Sequence, residues 1–255
     1  MSLLRSVIIA FSCFSAIPMP QVEWNERNMH LMMAAFPLVG AVVGVCWWVW
    51  HLACLSFGTG QLMRAIGFAL IPVAVTGGIH MDGFADVVDA LSSHAAPERK
   101  REILKDPHIG AFAAMGIACY LLAYVALAGE LEPRLMPIAC AIPFVSRCCC
   151  GFIAIFAHAS SSRGMMASIG ETARRGNVAP ALGCMLALAC GYLLWYNVVV
   201  GLAIIAVAAC ILVGVLRMAQ REFGGMSGDL LGFYVQVTEI ATLATVVCTG
   251  RLVAL

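Results

Sequence analysis

Long apolar runs separated by short polar connections set the pattern of this chain. The runs lie at Met29–Phe57, Leu62–Val75, Ala111–Gly129, Leu135–Ala157, Ala179–Tyr196, Val198–Met218 and Phe233–Leu255. A helix needs about 20 mostly apolar residues to cross a bilayer, so the pattern predicts an all-α, polytopic transmembrane bundle of about seven spans. Leu62–Val75 is short by that measure and contains Pro72, so it is expected to tilt, break or continue into the polar stretch that follows. Pro37, Pro137 and Pro143 mark other expected kinks. Met1–Pro20 carries a single basic residue and lacks a small-residue cleavage site. It reads as a retained short N-terminal apolar helix, interfacial or re-entrant, that prolines terminate. No repeat, low-complexity tract or soluble domain interrupts the series, so residues 1–255 are expected to form a single integral-membrane domain.

The polar material is unevenly divided. Segments 76–110, 158–178 and 217–232 hold most of the charge, and an even number of spans separates each from the next. All three therefore fall on one face. Arg99, Lys100, Arg101, Lys105, Arg163, Arg174, Arg175, Arg217 and Arg221 belong to that face, whereas the opposite one offers Glu130, Glu132 and Arg134. Basic residues favour the cytoplasm. The expected placement is a bacterial inner membrane, multi-pass, with the three polar segments cytoplasmic and converging on one catalytic site.

Composition strengthens this reading. The chain is 62% hydrophobic and 11% charged, with mean hydropathy +0.93, and soluble domains carry about 25% charge. Lipid is thus an expected partner. A net charge of +1, with bases scattered among short loops, argues against nucleic acid. The twelve cysteines lie mostly inside apolar runs without metal-ligand spacing, and read as small buried hydrophobes. A homo-oligomer is left open.

The most informative stretch is Thr76-Gly-Gly-Ile-His-Met-Asp-Gly-Phe-Ala-Asp-Val-Val-Asp-Ala90. Asp82, Asp86 and Asp89 follow an i, i+4, i+7 spacing, which places three carboxylates on one helical face. Like charges so arranged repel. A cation should compensate, and Mg²⁺ is the natural candidate because it takes oxygen ligands and shares them with substrate phosphates. Gly77, Gly78 and Gly83 would let a backbone approach a phosphate closely or let helices pack tightly. The bland alternative is a solvated acidic face at a helix end. Lys105 could hold a phosphate, Asp106 could be a further metal ligand or a base, and His80 could donate to a phosphate or act as an acid. His108 has a similar, weaker case. Arg99, Lys100 and Arg101 read as a solvated positive face.

Arg147 lies inside an apolar run and needs a partner: a phosphate, an aspartate or a helix–helix ion pair. Ser160 to Gly164, with Arg163, could wrap a phosphate. Asp229, in a glycine-rich stretch, could be a ligand or a base. Glu239 should contact substrate or pair with an arginine.

Together these segments resemble the cobalamin synthase (adenosylcobinamide-GDP ribazoletransferase) family. The resemblance is carried by Thr76, Gly77, Gly78, His80, Asp82, Gly83, Ala85, Asp86 and Asp89, then Lys105, Asp106 and Gly110, then Gly225, Gly228, Asp229 and Gly232. It spans nearly the whole chain and departs from the family pattern at Pro107-His108 and Ser227. It implies a Mg²⁺-dependent transfer. Adenosylcobinamide-GDP would donate to α-ribazole or its 5′-phosphate, GMP would leave, and adenosylcobalamin or its 5′-phosphate would form. Its implied roles are Asp82, Asp86 and Asp106 on metal, Asp89 as base and Lys105 and Arg147 on phosphates, with Gly77, Gly78, His80 and Asp229 binding substrate. Other Mg²⁺-dependent intramembrane phospho- or prenyltransferases are rivals, but paired aspartate-rich motifs and a DG-x-x-AR arrangement are both missing. A transporter is a second rival, disfavoured because no repeat is visible.

Overall fold

The computed structural model describes residues 2–160 and 178–253, which form helices joined by short turns. In order these are α1 (Ser2–Phe14), α2 (Glu26–Met29), α3 (Met32–Ser56), α4 (Gln61–Thr76), α5 (Ile79–Ser92), α6 (Pro97–Ile103) and α7 (Ala111–Gly129). There follow α8 (Met136–Ala139), α9 (Ile142–Phe156), α10 (Val178–Tyr196), α11 (Val198–Phe223) and α12 (Gly228–Val253). Among the described residues, six segments are long and apolar enough to cross a membrane: α3, α7, the Pro133–Phe156 stack that ends in α9, α10, α11 and α12. The α4–α5 pair passes the same test only as a broken unit bent by 98°. Counted as one crossing, it brings the bundle to the expected number. The protein is multi-pass.

The break has a local cause. Gly77 and Gly78 adopt φ of 64° and 80°, a left-handed pair that side chains resist. The Gly78 N–H still bonds the Val73 carbonyl at 3.0 Å, and the Asp82 N–H bonds the Gly78 carbonyl at 2.8 Å, so one helix stops and the next starts without a gap. Pro72 stays inside α4 and Pro37 inside α3. Around Pro137 and Pro143 the chain does break, into a short 3-10 turn (Pro133–Leu135), α8 and α9.

The N-terminal helix α1 is built into the bundle. Ile9 and Ala10 are fully buried, the Ser6 hydroxyl donates to the Asn28 carbonyl at 2.6 Å, and the Ala16 N–H reaches the Val75 carbonyl at 2.9 Å. It ends at Phe14, before Pro18.

Spans α3 and α9 meet through small residues. A Cβ on Gly40 would overlap the Pro143 carbonyl, and one on Gly44 the Cys140 carbonyl. Small residues four apart allow such close approach where lipid offers no hydrophobic drive.

The two ends of the bundle are tied separately. At one end Gln61 donates to the Gly129 carbonyl, Arg64 to Leu131, and Arg134 to Gly250, while Arg251 pairs with Glu130. At the other, the Met226 N–H bonds the His158 carbonyl and the Ser160 N–H bonds the Met226 carbonyl, both at 2.8 Å. There too Lys100 pairs with Glu222 at the end of α11, and Arg101 donates to the Phe223 carbonyl at 3.2 Å. The expectation that 99–101 is a solvated face is therefore corrected at Lys100, which is 5% exposed and docks α6 on α11. Arg163, Arg174 and Arg175 lie outside the described residues.

Replacing Gly44 with Leu should force α3 and α9 apart. Overpacking of this kind costs about 1–3 kcal/mol, so thermal unfolding of the detergent-solubilised variant should occur several degrees below the parent, with Gly44→Ala intermediate.

Candidate active site

The two glycine-containing motifs meet on facing helices. A Cβ on Gly83 would lie 2.7 Å from the Asp229 carbonyl oxygen, and one on Gly232 would lie 3.1 Å from that of His80. The backbones of α5 and α12 therefore touch, and Phe84 stacks on Phe233 with ring centroids 5.7 Å apart. This approach is what brings Asp82 and Asp86 toward Asp229. Asp86 lies within electrostatic range of Asp82, Asp229 and Asp89.

Two cavities adjoin along α5. One, of about 420 Å³, is lined by Gly77, Gly78, Asp82, Asp86, Pro107 and His108, among others. The other, of about 150 Å³, is more enclosed, and its walls include Phe14, Met33, Phe36, His80, Cys150 and Asp229. Asp82 and Ile79 belong to both. Asp82 is exposed and Asp86 and Asp229 are half-buried. Among the described residues, no Lys, Arg or His pairs with any of these three carboxylates.

Among the described residues, no group of three or more Asp, Glu, His or Cys side chains stands assembled for a metal ion. Mg²⁺ does not need one. It binds through one or two carboxylates and completes its shell with water and substrate phosphate. The unpaired all-oxygen set of Asp82 and Asp86 fits that chemistry.

The remaining expected residues divide. Gly77 and Gly78 form the α4–α5 turn and line the larger cavity. His80 lines the smaller one, is 5% exposed, and its Nε2 has no hydrogen-bond partner. Asp89 points elsewhere: its Oδ1 accepts from the Ala113 N–H at 3.1 Å, and its carboxylate fills the space a Cβ on Gly110 would occupy. It thus caps α7, whose own Gly110 has no side chain to do so. Asp106 accepts from the His108 ring at 2.7 Å and from its N–H at 3.0 Å. The ring bond holds its carboxyl below the usual carboxylate range. Lys105 is exposed, and neither it nor Asp106 lines either cavity. Arg147 lines neither of these two cavities either. It pairs with Glu239, each 1% exposed, and donates to the Pro143 carbonyl at 3.0 Å and the Ser146 hydroxyl at 3.2 Å. Of the partners the sequence offered Arg147, the structure takes the helix–helix ion pair. Arg163 in the Ser160–Gly164 stretch lies outside the described residues.

Comparison with known proteins decides the family. The family model described as Cobalamin-5-phosphate synthase matches residues 6–247. The chain belongs to this family. An adenosylcobinamide-GDP ribazoletransferase of Lachnoclostridium phytofermentans is 33% identical over 255 residues, covering 99% of this chain and 97% of its own. One from Clostridium botulinum (strain Alaska E43 / Type E3) is 32% identical, covering 95% and 96%. One from Geobacillus sp. (strain WCH70) is 31% identical, covering 91% of each. No solved structure matches. The chain is thus a transferase of the cobalamin-5-phosphate synthase family.

Within that family frame, several contributors were not visible as site residues in the sequence. Phe14, Met33 and Phe36 are ordinary apolar positions until α1 and α3 fold against α5. The cap from Asp89 had one signal, a glycine at the start of α7 with nothing local to cap it.

Two substitutions separate support from chemistry. Asp89→Ala should lower stability by about 1 kcal/mol, the usual loss for a helix cap, and chemical denaturation in detergent would read it. Glu239→Ala, which strands the Arg147 charge, should lose about 3–5 kcal/mol by the same measurement, well beyond the Asp89 variant.

Proposed function

We propose that this chain transfers the phosphocobinamide group of adenosylcobinamide-GDP to α-ribazole or α-ribazole 5′-phosphate, releasing GMP and forming adenosylcobalamin or its 5′-phosphate. The names of its relatives supply the substrates. The observation that carries the reading onto these residues is the junction of two cavities at Asp82. A transferase must bring two substrates to one reacting phosphorus.

In this reading the larger cavity takes the donor pyrophosphate. The Gly77-Gly78 turn leaves room for phosphate oxygens there, and nothing lies within 4 Å of the point where a Gly78 Cβ would stand. Asp82 and Asp86 would hold Mg²⁺. A Mg²⁺ ion held there would supply charge neutralisation for the pyrophosphate and for the departing GMP. A ribose hydroxyl of the acceptor forms a new P–O bond to the corrinoid-linked phosphorus. The P–O bond to the bridging oxygen breaks, and GMP leaves with its electron pair. Asp229, half-buried and lining the smaller cavity, would receive the hydroxyl proton in this reading. Asp89 keeps α7 against α5, and Asp106 with His108 shapes the turn bordering the donor cavity.

The active face is assigned to the cytoplasm of an inner membrane. Arg99, Lys100, Arg101, Lys105, Arg217 and Arg221 lie toward that face, whereas Arg64, Arg134 and Arg251 lie toward the other, and basic residues collect inside.

The test is turnover by purified protein in lipid nanodiscs, given GDP-activated corrinoid, ribazole and Mg²⁺, with complete corrinoid scored by mass. Product should form and cease with a chelator, and Asp82→Asn should slow turnover by on the order of 100-fold. Undiminished rates for that variant at saturating Mg²⁺ would remove the metal assignment, and no product from the parent would remove the transferase reading.

A further inference from the structure

The smaller cavity has a character of its own. Its walls come from α1, α3, α5, α9 and α12, and are mostly hydrocarbon and aromatic. Phe14 and Phe36 sit with ring centroids 4.5 Å apart, and Phe36 meets the His80 ring edge-on at 5.7 Å. Among the wall residues His80 is 5% exposed, and its buried Nε2 has no hydrogen-bond partner. A buried polar atom left unpaired raises the free energy of the empty state, and a ligand atom that bonds it recovers that loss. The Gly232 contact fixes the His80 backbone from behind. The two carboxylates, Asp82 and Asp229, stand at the same cavity.

This chemistry sorts the pieces of the two substrates. A phosphate here would meet Asp82 and Asp229 without the Mg²⁺ that Asp82 and Asp86 would hold toward the larger cavity. A cavity of about 150 Å³ is far too small for a corrin macrocycle. A guanine would strand several donors and acceptors against Phe14, Met33, Phe36 and Leu231, and such stranding is heavily penalised. A flat azole ring fits: two aromatic faces, a thin edge and one ring nitrogen to meet the imidazole. We propose that this cavity is the acceptor-base subsite, taking the azole of ribazole with its ring nitrogen on His80 Nε2. The ribose is then left at the rim beside Asp82 and Asp229, its hydroxyl facing the donor cavity. His80 acts here as a binding and positioning residue. This assignment rests on the transferase reading above and adds to it which substrate the enclosed cavity holds.

Two kinds of variant test it in the full chain in nanodiscs. Cys150→Phe and Leu231→Phe fill the cavity from different helices, and His80→Leu removes the polar contact while keeping bulk. Each is first checked for a monodisperse elution profile and an unfolding transition. Steady-state kinetics should show the KM for ribazole raised about tenfold or more, the worth of about one lost hydrogen bond or ring contact, with the KM for the GDP-activated donor unchanged within about twofold. Independently, calorimetric titration with benzimidazole alone, without metal or donor, should show binding to the parent that the filled variants lose. A rise in the donor KM instead, an unmoved ribazole KM, or benzimidazole binding equal in parent and filled variants would overturn the assignment. An active parent with unaltered acceptor KM in the variants would sink the subsite alone. An inactive parent would sink the transferase reading, and the benzimidazole titration would still decide the cavity.

Discussion

Two helices of this bundle touch backbone to backbone, and the site exists because they do. At Gly83 and Gly232 neither α5 nor α12 has a side chain to hold the other away. With an ordinary residue at either position the helices would stand farther apart, and Asp229 would no longer share a cavity with Asp82. Close approach through small residues is how membrane helices associate when lipid competes for every apolar surface. Here it does a second job, bringing together carboxylates that would otherwise repel and separate.

The distribution of charge follows from that constraint. Deep in the bundle a charge without a partner is expensive, and the chain pairs what it buries: Arg147 with Glu239, Lys100 with Glu222. The carboxylates at the α5–α12 junction are treated differently. Asp82, Asp86 and Asp229 face cavities and, among the described residues, form no ion pair with Lys, Arg or His. The fold compensates the charges it buries deeply and leaves these three carboxylates without an ion-pair partner among the described residues. The paired set holds helices; the unpaired set is available for chemistry.

Much of this was legible in the sequence, for identifiable reasons. Apolar runs of membrane length give the spans directly, and Leu62–Val75, too short and carrying Pro72, turned out to be the limb of the broken crossing. The spacing of Asp82 and Asp86 placed them on one helical face, and Glu239 was expected to pair with an arginine if it did not touch substrate. Other features depend on contacts distant in sequence. The sequence allowed Leu62–Val75 to tilt, break or continue, but did not give the 98° bend at Gly77-Gly78. Asp89 belongs by spacing to the acidic face, yet its carboxylate faces the start of α7, 24 residues on. Lys100 sits in a run of bases that looks solvated, and only the docking of α6 onto α11 reveals that one of them is enclosed.

The amino-terminal helix carries a consequence of a different kind. Its composition imitates an export leader, but Phe14 lines the enclosed cavity and Ile9 and Ala10 are fully buried in the core. A protease that trimmed the chain ahead of Pro18 would remove that wall while removing no acidic residue. The segment is therefore part of the lining that gives the chamber its shape.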